Sequence, residues 1–230
     1  MVGVMSFPKT TIGKKVIMAI SGLVWIGFVA GHMFGNLKIY TGAEHFNEYA
    51  HGLRTLGEPI LAYGQALWLV RIVIIFAIVS HVWAAITLKQ RNLSARSAGY
   101  AVHRKLKASA ATLTMIYGGV AILLFIVYHL MHFTMGVPGV HPNFDPNDPY
   151  QNVILGFQSG FYIPVVIYMI ALLALAFHLY HGTWSMFQTV GLNNKTYDSG
   201  IRALAWLVAI LIPLGFATVP LGVVFGILTL

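Results

Sequence analysis

Apolar residues in this chain neither alternate nor recur on one helical stripe; they run on almost without a break. Five stretches, about 16–37, 60–88, 108–133, 161–188 and 203–230, are built mostly from apolar and small residues. A helix of roughly 20 such residues crosses about 30 Å of hydrocarbon, so each stretch predicts a membrane-spanning helix. The first and third carry no charge, and the second is interrupted only by Arg71. The fifth contains Pro213 and Pro220, which spanning helices tolerate when neighbours satisfy the freed carbonyls. Lys9, Lys14 and Lys15 precede the first run as they would in a secretory signal. That run is longer than a signal's apolar part and no A-x-A site follows it, so it is read as a retained span. The expected fold is an all-α integral membrane protein, one membrane domain over residues 1–230.

Composition supports a bilayer as the solvent. The chain is 58% hydrophobic and 9% charged, against about 25% charged in ordinary soluble domains. It has no cysteine, which excludes disulfides, a thiolate-bound iron–sulfur cluster in this chain and thioether-linked haem.

The net charge of +8 would suggest nucleic acid, but its distribution does not. The N-terminal segment, the segment between the second and third spans (Lys89, Arg91, Arg96, Arg104, Lys105, Lys107) and that between the fourth and fifth (Lys195, Arg202) hold most of the basic residues. The opposite side holds Glu44, Glu48, Glu58, Asp145 and Asp148. The positive-inside rule then expects a multi-pass protein with its N-terminus in the cytoplasm and its C-terminus outside. The basic face suits anionic lipid or a partner protein; nucleic acid is not expected. The segment Gly136–Tyr150, with Pro138, Pro142, Pro146 and Pro149, reads as an outside loop with little regular structure.

Six of ten histidines fall inside the spans: His32, His81, His129, His132, His178 and His181. An ionisable group in hydrocarbon is costly and calls for a reason. A lone one ordinarily bonds a neighbouring helix. At about 1.5 Å per residue, His81 and His178 lie roughly 12 and 15 Å from the inner edge, and His32 and His129 roughly 25 and 33 Å. They sort into an inner and an outer pair, each joining two helices. Paired axial imidazoles from facing helices hold b-type haem, so the first four helices are expected to form a bundle around two haems b. With both axial positions filled, the chemistry is electron transfer rather than oxygen activation.

His132 and His181 follow a proposed ligand by one turn and are read as haem neighbours or as packing. Arg71 and His103 are candidate propionate contacts, with snorkelling and a solvated loop as the plainer readings. Gly31, Gly35, Gly118, Gly119 and Gly182 would admit a flat macrocycle or a close helix equally well.

The motifs resemble those of a known family. His-Met-Phe-Gly-Asn-Leu at 32–37, Phe-Ile-Val-Tyr-His-Leu at 125–130 and Phe-His-Leu-Tyr-His-Gly-Thr-Trp-Ser at 177–185 resemble the haem-ligand motifs of the single-chain, two-haem cytochrome b subunit of succinate dehydrogenase and fumarate reductase. Ser-His-Val-Trp-Ala-Ala at 80–85 matches less distinctively. In the fourth motif the ligand stands four residues before the glycine, which selects His178 over His181. The resemblance covers all five spans. It implies a subunit of succinate:quinone oxidoreductase, without a dicarboxylate site of its own, in a bacterial cytoplasmic membrane. It implies flavoprotein and iron–sulfur partners on the cytoplasmic face, and membrane quinone, menaquinone being the one expected, as a substrate. Some members use a carboxylate after the first helix, which falls near Glu48 and His51 here. Others carry a glutamate two residues before the fourth ligand; Ala176 stands there, so that role is not carried over.

Three other readings share some of these features. The cytochrome b anchor of a hydrogenase or formate dehydrogenase has the same chemistry with different partners. A di-iron desaturase would need about eight histidines gathered on one side. A proton-coupled transporter would use the histidines without haem.

Overall fold

The computed structural model describes residues 4–95 and 110–230. The described residues are mostly helical, with no strand among them. Five helices are long and apolar enough to span a membrane: α1 (Thr11–Leu37), α3 (Gln65–Ser94), α4 (Ala110–Phe133), α6 (Ile163–Thr189) and α7 (Asp198–Val224). Two shorter helices, α2 (Ala43–Thr55) and α5 (Pro149–Gln158), were not anticipated from the apolar runs.

Polar signals place the helix ends. Thr10 caps α1, its Oγ1 accepting from Gly13 N at 2.9 Å, which satisfies one of the free amides at a helix start. A side chain at Gly13 would collide with the Phe7 carbonyl. The second span starts at Gln65 rather than near residue 60. Gly57 and Gly64 carry φ of 91° and 77°, left-handed conformations that glycine adopts cheaply, and they break the helix although Ile60 and Leu61 are apolar. The last span starts earlier than its apolar run, because Asp198 in its first turn pairs with Arg202 one turn on, Nε to Oδ2, 2.8 Å. It ends before residue 230. Gly226 (φ 69°) terminates it, with Ile227 N donating to Gly222 O at 2.8 Å. Pro213 and Pro220 lie buried within a continuous α7.

The loop from Gly136 is irregular up to α5, which Asp148 caps by accepting from Gln151 N at 2.9 Å. Asn47 ties α2 to α5: its Nδ2 donates to Asp148 Oδ1, and its Oδ1 accepts from Tyr150 N, both at 3.0 Å. These two helices and the adjoining ends of α6 and α7 bury Ile39, Phe46, Ile154, Phe157, Val165, Val219 and Val223 together. This cap closes one end of the bundle; α1 begins at the other.

The spanning helices form an open U. Helix α3 lies along α1, and α4 lies along α6. Helix α7 packs on α6 and α1, α1 also touches α6 directly, and among the described residues α3 and α4 make no extensive contact. Most large apolar side chains of α3 face outward and exposed, Trp68, Ile72, Phe76 and Val79 among them. Such a surface belongs in lipid.

Candidate functional site

The two arms of the U are bridged by histidines. His81 of α3 meets His178 of α6, ring centres 6.1 Å apart. His32 of α1 meets His129 of α4, ring centres 5.8 Å apart. All four rings are half-buried. Each pair joins one helix of the α1–α3 arm to one of the α4–α6 arm. Two rulers give the spacing between pairs. His81 touches Ser21 of α1, and His32 lies eleven residues further along that helix, about 16 Å. His129 touches Tyr168 of α6, and His178 lies ten residues further on, about 15 Å.

The donor set fits a bis-imidazole metal site. Two imidazoles on opposite faces of one iron, each about 2 Å from the metal, have ring centres roughly 6 Å apart. Metal-bound histidines ordinarily use their second nitrogen to hold a neighbour. His81 Nδ1 lies 3.2 Å from the Met18 carbonyl oxygen and 3.1 Å from Ser21 Oγ. His129 Nδ1 lies 2.9 Å from the Tyr168 hydroxyl. His32 is steadied by Phe28, stacked on it at 5.4 Å, and Asn36 binds its backbone carbonyl at 2.8 Å. His178 Nδ1 is buried without a partner.

Glycines keep the surroundings thin. A Cβ on Gly22 would lie 3.5 Å from the His81 ring, and one on Gly119 3.8 Å from the His178 ring. At Gly31 and Gly182 it would meet nothing within 4 Å. Gly35 instead admits Tyr49, whose hydroxyl would stand 2.8 Å from an added Cβ.

The remaining sequence candidates scatter. His132 is fully buried in the cap, its Nδ1 3.2 Å from the same Tyr168 hydroxyl. It packs against Phe133 and His141, so one turn turns it from the bundle into the cap. His181 is half-buried against Trp184. Arg71 is exposed over the Trp68 ring, 4.9 Å from its centroid. Glu48 is exposed and 3.6 Å from His45. His51 packs on Tyr63 at 6.2 Å. Tyr63 and Trp68, which His51 and Arg71 touch, line a surface cleft of about 400 Å³ together with Leu61, Gln65, Leu69 and Ile72. His103 lies outside the described residues.

Sequence reasoning missed Ser21, Tyr168 and His141. His141 sits in the loop, yet it is buried, with Nε2 donating to Asn152 O at 2.8 Å. Ser21 and Tyr168 are unremarkable in an apolar run; only the fold brings them to the rings.

Fold and site together define a multi-pass, all-helical membrane protein with two histidine pairs stacked along its bundle. Comparisons with protein-family profiles, with curated proteins and with solved structures find no match.

Proposed function

We propose that this chain is the cytochrome b membrane anchor of a succinate:quinone oxidoreductase, acting as succinate dehydrogenase or fumarate reductase. The observation that carries the reading is the pair of histidine bridges, ring centres 6.1 and 5.8 Å apart, each joining a helix of the α1–α3 arm to one of the α4–α6 arm. His81 and His178 would hold the inner haem b, and His32 and His129 the outer one. When bound, the haems supply reversible one-electron chemistry at iron with no open coordination position. Met18, Ser21 and Tyr168 orient the imidazoles, and the apolar helices keep water away from them. The two pairs lie about 15 Å apart along the bundle, and haems held there would supply an electron path from one end of it to the other.

The choice of complex rests on the sequence motifs at 32–37, 125–130 and 177–185. The charge distribution supports a cytoplasmic N-terminus and a basic face for the flavoprotein and iron–sulfur partners. The quinone is assigned to the surface cleft lined by Tyr63, Gln65 and Trp68, where His51 touches Tyr63 and Arg71 touches Trp68. The cleft is apolar with a few polar groups, as small-molecule sites ordinarily are. The setting proposed is a bacterial cytoplasmic membrane, with menaquinone as the quinone.

Affinity purification of the tagged chain from its native membrane tests the assignment. Co-purification of a flavoprotein and an iron–sulfur protein with succinate:quinone or fumarate reductase activity is expected. Co-purification with hydrogenase or formate dehydrogenase subunits would move the chain to another anchor class.

A further inference from the structure

Lys14 is a buried cation without a carboxylate in its own chain. It lies in the first turn of α1 and is only 7% exposed. Its near contact among the described residues is the Trp83 ring, 5.2 Å from Nζ to the centroid. A buried charge is costly unless it is paired, and lysines at a helix end ordinarily reach out to water. Lys15, the next residue, is exposed.

The chain has six acidic residues, and each can be placed. Glu44, Glu48 and Glu58 follow α1 at the cap end, and Asp145 and Asp148 precede α5 there. Helix α1 has 27 residues, so these groups lie about 40 Å from its start. The sixth, Asp198, is held by Arg202 at 2.8 Å and by Trp184 Nε1 at 3.3 Å. No carboxylate of the chain is placed to pair with Lys14, which leaves its ammonium available to an anion from outside the chain.

Helical register says where it arrives. Lys14, Met18 and Ser21 fall at i, i+4 and i+7, one face of α1. Met18 and Ser21 are the residues that touch His81. Lys14 therefore sits on the His81 face, one to two turns toward the open end.

We infer that the Lys14 ammonium binds a carboxylate of the inner prosthetic group, a haem propionate, an inference that rests on the two-haem reading above. Lys14 would thereby hold that group in one orientation, and its positive charge would favour the reduced form.

The test uses the purified complex carrying Lys14→Gln, with Lys15→Gln as the control. The readouts are haem per chain and the midpoint potential of the inner haem. Lys14→Gln is expected to lower that potential or release that haem, while Lys15→Gln matches wild type. A Lys14→Gln complex with unchanged inner haem content and potential overturns the inference; lost co-purifying anionic lipid in that complex would assign the site to a headgroup instead. Lys14→Arg keeps the charge and serves if Lys14→Gln does not accumulate. With 13C-labelled propionates, its redox-difference infrared bands move from wild type if the contact exists and coincide if it does not. Absence of haem from wild type would remove the underlying reading, a result distinct from all of these.

Discussion

His81 Nδ1 lies 3.2 Å from the carbonyl oxygen of Met18. A carbonyl only accepts, so Nδ1 carries the proton and donates it. The lone pair is then on Nε2, the nitrogen free for a metal. Ser21 Oγ, 3.1 Å from the same nitrogen, adds a second restraint. Ser21→Ala is therefore expected to keep the inner haem, because the Met18 carbonyl remains. It should broaden or shift the low-spin electron paramagnetic resonance signal of that haem alone. An unchanged inner signal would mean that the serine has no hold on the ring.

Tyr168 holds the outer pair by a different contact. Its hydroxyl lies 2.9 Å from His129 Nδ1 and 3.2 Å from His132 Nδ1. Tyr168→Phe keeps the aromatic packing with Phe125 and Phe157 but takes the hydroxyl from two imidazole nitrogens, those of His129 and His132, at a cost of about 1–3 kcal/mol for each nitrogen left unpaired. The expected outcome is a folded protein of lower thermal stability that keeps both haems, with an altered resonance signal from the outer one. A change confined to the inner haem would contradict the pairing.

Gly119 tests the room beside His178. A Cβ there lies 3.8 Å from the His178 ring, an ordinary contact, so Gly119→Ala should leave two haems per chain. Gly119→Leu puts bulk into the space beside the ring and is expected to cost the inner haem while the outer one stays. Retention of both by the leucine variant would show that the inner group lies elsewhere.

Much of this was legible in the sequence, for physical reasons. A spanning helix needs an unbroken apolar run, so all five appear as such. Their ends were less legible. Residue 60 reads as helix by hydropathy, but Gly57 and Gly64 in left-handed conformations delay α3 to Gln65. Arg202 reads as a loop charge, yet its pairing with Asp198 extends α7 backwards. Helix α2 mixes polar and apolar residues and α5 has only ten residues, too short or too polar to stand out.

The histidine pairs could be read from depth, since rise per residue ranks ionisable groups along the membrane normal. The groups that orient them could not. Ser21, Tyr168 and the buried Lys14 become informative only once the helices are packed, because each acts on another helix. Arg71 shows the opposite limit: its depth was readable, but its stacking on Trp68 at the exposed surface of α3 was not.

The central claim is that the two histidine bridges hold two haems b, and a pyridine haemochrome assay with protein quantitation on the purified chain or its complex tests it most directly. About two b-type haems per chain are expected. His81→Ala or His178→Ala should lose one, and His32→Ala or His129→Ala the other, distinguishable by their resonance signals. A well-folded wild-type protein without haem would contradict the account and turn the paired histidines toward proton-coupled transport.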